Sequence, residues 1–191
     1  GRDIGRSSVR DRLAMGIHVV PEDRMGMGLV PNLSVMENAM LRGYYRDDFM
    51  QGFHFDYKKV KAYTRKLVED FNVSLGHIQH PINYLSGGNL QKLLLGREIS
   101  QKPRVLVVAY PVRGLDVAAT EAVYRLLLEE RDKGTAVMLI LEDLEDIFRL
   151  ADRVAVMYAG TVKAVMDVQE TNLEEIGLLM LGGGEKSVAH A

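Results

Sequence analysis

The sequence predicts an α/β protein with a mainly parallel sheet flanked by helices, together with an all-helical subdomain. Three observations support this prediction. Apolar residues recur at helical spacing through most of residues 34–100. Farther along, two continuous apolar runs, Val105–Val108 and Ala136–Leu141, are typical of strands that are buried on both faces. Because helical segments alternate with these strands, the order implies right-handed crossovers and parallel pairing.

The first hundred residues predict one strand followed by three helices. The strand is Ile17–Val20, and Pro21 ends it. The first helix begins with a capping box, since Ser34 is followed three residues later by Glu37. The three helices are predicted at Val35–Leu41, Asp56–Phe71 and Asn89–Ser100.

The residues beyond 100 predict strands that alternate with helices, and Gly134 is a natural C-cap for the longest of these helices. Ala159-Gly160 turns the third strand into the segment Thr161–Met166. The strands are predicted at Val105–Val108, Ala136–Leu141 and Val154–Met157, and the helices at Ala118–Lys133, Asp143–Ala151 and Leu173–Leu181. We therefore expect a core formed by residues 1–33 and 101–181, a helical subdomain at 34–100, and a flexible tail at 182–191.

Composition narrows the classes of function. The chain has 191 residues, of which 47% are hydrophobic and 26% charged, as in ordinary globular proteins. A net charge of -2 argues against a nucleic-acid partner, and the lack of cysteine excludes disulfides and thiolate metal sites. No apolar run reaches the roughly 18 residues that a membrane span needs, and the first residues do not form a signal peptide. We expect a cytoplasmic location, with membrane contact only through a protein partner.

The segment Leu85–Gln91 (LSGGNLQ) combines a Ser-Gly-Gly turn with the start of an apolar helix. Amide groups at a helix N-terminus lack intrahelical acceptors and carry the positive end of the helix dipole. Gly87 and Gly88 have no side chains, so a phosphate can approach the backbone, and Ser86 adds a hydroxyl donor. The simpler interpretation is an ordinary capped helix, with Ser86 or Asn89 as its N-cap.

The order and spacing of the motifs resemble the nucleotide-binding domain of ABC transporters over residues 1–181. Leu85–Gln91 resembles the ABC signature, Gly114–Asp116 resembles the D-loop, and Pro21-Glu22 stands at the position of the Q-loop. The forms PEDR, SGGNLQK and RGLD are most similar to the second ATPase domain of tandem-domain importers for simple sugars or nucleosides. The resemblance implies a RecA-like ABC ATPase core, here incomplete, because the phosphate loop (Gly-x-x-x-x-Gly-Lys-Ser/Thr) has no match in this chain.

The resemblance also implies what the Ser-Gly-Gly turn serves. In ABC proteins two ATPase domains face each other head to tail, and the signature of one closes on ATP held by the phosphate loop of the other. Asp116 would meet the partner domain across the same interface. Glu22 would lie at the hinge between the helical subdomain and the core, and its alternative role is a capping or solvated acid. The implied ATP-facing residues are Ser86, Gly87, Gly88 and Gln91.

Three positions depart from the family pattern. Ala109 stands where the family has the Asp that binds Mg²⁺, and it offers no oxygen. Tyr110 replaces the catalytic Glu, and a phenol with a pKa near 10 is a poor base at neutral pH. Glu142 replaces the His of the switch loop, and its charge would repel a γ-phosphate. No catalytic residue of this chain is therefore intact, although Tyr110 and Glu142 also fit simple solvated strand ends. We expect this chain alone to bind ATP negligibly and to be inactive.

The expected partners are a second ATPase domain and membrane permease subunits, which would place the chain on the inner face of the plasma membrane. Tyr44–Phe49 is a candidate contact surface for the permease, or else an exposed loop. An uncovered sheet edge would expose unpaired backbone groups, which could pair with a second copy of the chain in a non-native homodimer.

The function predicted from the resemblance is ATP hydrolysis, with Mg²⁺, that drives uptake of a simple sugar or nucleoside. Two alternatives remain: an ABC ATPase without a permease, and a structural or regulatory module without nucleotide turnover. Long coiled-coil insertions or basic linkers would support the first alternative, and neither is present. The substitutions at Ala109 and Tyr110 favour the second alternative, whereas the Ser86–Gly88 turn argues against it.

Overall fold

The computed structural model describes residues 3–43, 49–51 and 54–183. The chain divides into two compact units, Gly1–Ile140 and Leu141–Ala191. The helices are α1 (Val9–Ala14), α2 (Val35–Met40), α3 (Tyr57–Asp70), α4 (Gly87–Ile99), α5 (Val117–Asp132), α6 (Leu144–Leu150) and α7 (Leu173–Met180). The strands are β1 (Ile17–Val20), β2 (Met50–Gln51), β3 (His54–Phe55), β4 (Val105–Ala109), β5 (Ala136–Ile140), β6 (Arg153–Tyr158) and β7 (Thr161–Asp167).

A three-stranded parallel sheet with the order β1-β4-β5 forms the centre of the first unit. Val19 is aligned with Val107 of β4, which is in turn aligned with Met138 of β5. The helix α5 connects β4 to β5, as expected for a parallel crossover. The predicted α/β class with a parallel sheet and flanking helices is therefore confirmed.

One face of this sheet is more deeply buried than the other. Leu106 and Val108 of β4 have no exposed surface. On the opposite face Val19 is 43% exposed, Met138 57% and Ile140 38%. The prediction that the apolar strands are buried on both faces is wrong for β5, because in the described part of the chain one apolar face stays open to solvent. An apolar run shows that both faces of a strand can be buried, but it does not show that another part of the chain packs against the second face.

The segment between the first two strands of the sheet contains α2, α3 and α4, together with an antiparallel pair formed by β2 and β3. This short hairpin was not predicted. Phe49 is 7% exposed and packs edge-on against Tyr63, with ring centres 5.0 Å apart. Phe49 is thus a core residue, and the rest of the proposed permease contact, residues 44–48, lies outside the described residues. The buried residues of this cluster are Met36, Met40, Phe49, Val60 and Ile78.

The start of α2 is fixed by the predicted capping box. The hydroxyl of Ser34 accepts a hydrogen bond from the amide of Glu37 at 3.1 Å. In return, the Glu37 carboxylate accepts from the Ser34 amide at 2.8 Å. The two bonds satisfy amides that a helix N-terminus would otherwise leave without acceptors.

A buried carboxylate anchors the C-terminal end of α4. Glu98 has no exposed surface, and its two oxygens contact three basic side chains. Oε2 lies 2.9 Å from Nδ1 of His18 on β1, and Oε1 lies 3.0 Å from Nε of Arg42 and 2.9 Å from Nε of Arg97. Arg97 also donates to the backbone oxygen of Gly28 at 2.8 Å. These contacts tie α4 to β1 and to the ends of two other segments of the first unit.

The second unit is built around an antiparallel pair of strands, β6 and β7. The sequence predicted the first of these, Val154–Met157, as a further strand of the parallel order, and that prediction is wrong because it pairs with the strand that directly follows it. A bulge between Val156 and Met157 interrupts the register. The core of this unit consists of Val154, Val156, Ala164, Met166, Val168, Ile176 and Leu179. None of the described helices combines the length and apolarity needed to cross a bilayer.

Candidate functional site

The turn that begins α4 is held by two polar side chains. Ser86 is the N-cap, and its hydroxyl accepts from the amide of Asn89 at 3.4 Å and from the Asn89 side chain at 3.0 Å. Oδ1 of Asn89 accepts from the amide of Ser74 at 2.8 Å. Because α4 makes its first backbone bond from Leu90 to Ser86, the amides of Gly87 and Gly88 precede the helical hydrogen-bond pattern. They carry the positive end of the helix dipole.

The two glycines of this turn have different neighbours. A Cβ atom placed on Gly88 would lie 2.9 Å from the Cβ of Ala119, so the absence of a side chain lets α4 and α5 approach closely. A Cβ atom on Gly87 would lie 3.5 Å from Leu115, which is an ordinary contact. Gly88 is therefore required by packing, whereas Gly87 leaves room at the surface of the turn for a group from outside the chain.

Asp116 is the N-cap of α5. It lies beside this turn, because the neighbouring Leu115 and Ala119 approach Gly87 and Gly88. Its Oδ1 accepts from the amide of Ala119 at 2.8 Å, and the side chain is exposed. The next residue, Val117, is 81% exposed. Together with the contact between Gly87 and Leu115, this geometry puts the signature-like and D-loop-like segments side by side within one unit.

A basic residue that the sequence did not assign connects these two segments. Arg24 is the first residue of a π-helical turn, Arg24–Gly28, that follows β1 and is capped by Asp23. Its Nε donates to Oε1 of Gln91 at 2.7 Å, and its Nη2 donates to the backbone oxygen of Arg113. Gln91 is 1% exposed, so its side chain lies behind the turn and contacts Arg24 rather than the surface. The PEDR motif pointed to this region, but a motif does not reveal which acceptors the arginine reaches.

Glu22 lies at the surface of the same region and forms an ion pair with Arg113. Both side chains are more than 40% exposed, so we assign little stability to the pair itself. Burial lowers the pKa of Arg24, which is only partly accessible. These groups line an open cavity of about 340 Å³ formed by Glu22, Asp23, Arg24, Met25, Leu90 and Arg113.

The end of β4 offers little chemistry by comparison. Ala109 ends the strand with a methyl group, and Tyr110 follows with φ at +46°, its amide donating to Ile140 at 2.8 Å. Glu142 is exposed and belongs to the second unit. Among the described residues no group of three or more His, Asp or Glu side chains could hold a metal ion. The residues of this chain therefore do not fit a Mg²⁺ site at the end of β4.

Proteins that import small solutes match this chain along nearly its whole length. A glucose import ATP-binding protein of Haloferax volcanii is 42% identical over 97% of the chain. A nucleoside import ATP-binding protein of Lactococcus lactis and a guanosine import ATP-binding protein of Bacillus subtilis are each 37% identical, over 95% and 100% of the chain. The chain spans 34–38% of the length of these relatives. No model of a protein family matches the chain.

Solved structures agree with the fold. The dimeric structure of an ATP-binding cassette in a post-hydrolysis state, bound to ADP and Pi, matches with a TM-score of 0.66 over 85% of this chain and 68% of that one. A dimeric bacterial ABC transporter cassette matches with a TM-score of 0.65 over 83% and 67%. The sequence identities are 20% and 21%, so these likenesses establish the fold alone.

Proposed function

From two findings we propose that this chain supplies the signature half of an ATP site: it has the fold of an ABC ATPase cassette, and it matches about one third of the length of ATP-binding proteins named for sugar and nucleoside import. The ATP is held by a partner ATPase domain. Hydrolysis in the complete assembly drives uptake of a simple sugar or a nucleoside.

One observation carries this proposal. The turn Ser86–Gly88 presents a hydroxyl and two amides outside the helical hydrogen-bond pattern, and it lies beside the N-cap of α5. Donors of this kind at a helix N-terminus bind phosphate oxygens. At the end of β4, in contrast, Ala109 and Tyr110 supply neither a metal ligand nor a base for neutral pH. The chain has kept the groups that it would donate to a partner and lacks those that its own site would need.

The division of roles follows from this chemistry. When bound, Mg²⁺ neutralises phosphate charge in ATPases, and we assign its ligands to the partner domain, because the residues at the end of β4 do not fit it. Ser86, Gly87 and Gly88 close on the terminal phosphate and complete its shell of donors. Asp116 fixes the start of α5 and meets the partner beside them.

The proposed partners are a second ATPase domain and membrane permease subunits. The relatives are import proteins, and the described part of this chain contains no helix that could cross a bilayer. We therefore place the chain on the cytoplasmic face of the membrane, attached through the permease. The solute itself is chosen by other subunits.

The test uses the complete transporter and measures ATP hydrolysis together with solute uptake. Gly87→Asp puts a negative charge where the partner's phosphate would lie, and we expect it to abolish both activities. Since a Cβ atom is tolerated at this position, Gly87→Ala is the matched control and should fold normally. Tyr110→Ala should leave hydrolysis within about twofold of the wild type. The opposite ranking of Gly87→Asp and Tyr110→Ala would overturn the proposal.

A structural or regulatory module is the second candidate, and the substitutions at Ala109 and Tyr110 favour it. The same experiment separates the two functions. If hydrolysis by the complete transporter is unaffected by both Gly87→Asp and Tyr110→Ala, this chain takes no part in nucleotide turnover and acts as a scaffold.

A further inference from the structure

We propose that Arg24 is a positioning residue that fixes the signature turn against the D-loop segment, so that both reach the partner's nucleotide as one surface. This inference rests on the proposed function. It adds a role for a residue that lies outside both motifs, 62 positions before Ser86 in the chain.

The contacts of the guanidinium support this role. Nε donates to Gln91, in the first turns of α4, at 2.7 Å. Nη2 donates to the carbonyl of Arg113, three residues before Asp116. A planar guanidinium can donate in two fixed directions at once, whereas a lysine ammonium is a single point donor on a flexible stem. One side chain thus sets the spacing between two backbone segments.

Arg24 is itself held in place by the turn that it begins. Oδ1 of Asp23 accepts from the amides of Met25 at 3.1 Å and Gly26 at 2.8 Å. The backbone oxygen of Arg24 accepts from the amide of Leu29 at 2.6 Å. The side chain therefore projects from a backbone that is already ordered directly after β1.

The surroundings make the bond to Gln91 strong. Gln91 is 1% exposed and Arg24 is partly buried, so water competes little for this hydrogen bond. A Cβ atom on Gly87 would lie 3.8 Å from Nη1 of Arg24. The guanidinium therefore lies close to the turn itself as well as to the two segments that it joins.

If Arg24 were needed only for folding, its substitution would have a different effect on the kinetic constants. Loss of a residue needed only for stability lowers the melting temperature and the amount of active protein, but it leaves the kinetic constants of the folded fraction unchanged. A positioning role instead lowers kcat, because the two segments no longer close on the nucleotide together. The KM for ATP should stay nearly constant, since ATP is first bound by the partner domain.

The experiment measures kcat and KM for ATP in the complete transporter. We expect Arg24→Ala to lower kcat by about 10- to 100-fold and to leave KM within about twofold. Arg24→Lys, which keeps the charge but not the two-directional donation, should recover only part of the loss. Gln91→Leu should lower kcat in the same way, and Arg24→Ala added to Gln91→Leu should lower it by no more than about twofold further.

Three results would overturn the inference. The first is a kcat for Arg24→Ala within about twofold of the wild type. The second is a full loss of activity that is equal in Arg24→Lys and accompanied by unfolding of both variants. The third is multiplication of the Arg24→Ala and Gln91→Leu effects, which would show that the residues act independently. In each case, loss of hydrolysis in Gly87→Asp would leave the proposed function standing, and normal hydrolysis in Gly87→Asp would instead remove the function itself.

Discussion

Two turns in the first unit differ in the polar groups that they present. The turn before α4 presents Ser86 and two glycine amides, and it is braced by Asn89 and Arg24. The turn after β4 presents a methyl group and a phenol, and Tyr110 adopts a left-handed backbone conformation that bulky residues rarely adopt. The side chains of Arg24 and Leu115 lie close to the first turn, and the backbone amide of Ser74 donates to its Asn89. The difference is the one that the proposed function requires, because the chain would contribute the first turn to a partner domain and would not need the second.

The comparison extends to the helix behind the first turn. Nine of the 13 residues of α4 are buried, and Glu98 near its end contacts His18, Arg42 and Arg97. The position of the turn therefore depends on the anchoring of α4 as well as on its cap. Substitutions at these supports should therefore have larger effects than a substitution at the end of β4.

Removal of the charge of Glu98 should have the largest effect. Glu98→Gln leaves the buried Arg97 and the partly buried Arg42 without a counter-ion, so we expect the free energy of unfolding to fall by about 3–5 kcal/mol in urea denaturation. Glu69→Gln on the exposed face of α3 is the control and should change it by less than about 0.5 kcal/mol. An equal effect of the two substitutions would show that the buried carboxylate does not anchor α4.

The same carboxylate gives a prediction about pH. Desolvation alone would raise the pKa of Glu98, but the hydrogen bond from His18 and the charges of Arg97 and Arg42 outweigh it and lower the pKa. A lowered pKa means that Glu98 stabilises the fold above its ordinary pKa of about 4.3 and that this contribution is lost as the pH falls through the folded-state value. The wild type should therefore lose stability below about pH 4 more steeply than Glu98→Gln.

The next effect concerns the surface of the turn. Ser86→Arg removes the cap and places a long side chain over the amides, and we expect ATP hydrolysis by the complete transporter to fall by roughly 100-fold. Ser74 is also exposed, and its only described role here is a backbone bond to Asn89, so Ser74→Arg should retain most of the activity. Similar activities in the two variants would contradict a nucleotide-facing role for Ser86.

A packing substitution should have an intermediate effect. Gly88→Ala would bring two Cβ atoms to 2.9 Å, and we expect it to lower the free energy of unfolding by about 1–3 kcal/mol. Ala119→Gly removes the second of these atoms and should restore much of the loss in the double variant. Failure of this rescue would mean that Gly88 is needed for a reason other than the approach of α4 to α5.

The smallest effect is expected at the end of β4. Tyr110→Gly should be about 1 kcal/mol more stable than Tyr110→Ala, because glycine adopts a φ of +46° without the clash that any Cβ atom causes. Thermal denaturation of both variants measures the difference. Equal stabilities would show that the backbone at Tyr110 relaxes when the phenol is removed.

The sequence predicted most elements because their signals are local. The capping box of Ser34 and Glu37 and the alternation of strands with helices need only neighbouring residues. Most contacts of Arg24 and Glu98 could not be predicted, since apart from Arg97 their partners lie 56 to 89 positions away and become neighbours only when the chain folds. The turn at Ala159-Gly160 was predicted, but the pairing of β6 with β7 was not, because an apolar run favours a strand without selecting which strand pairs with it.

The most direct test of the donated half-site locates the terminal phosphate of bound ATP. An ATP analogue with a photoreactive group on its γ-phosphate would be trapped in the complete transporter and cross-linked, and the labelled peptides would be identified by mass spectrometry. We expect the label on residues 84–92 of this chain and on the phosphate loop of the partner domain. Label on residues 109–113, or none on this chain, would contradict the proposal that the turn before α4 faces the partner's nucleotide.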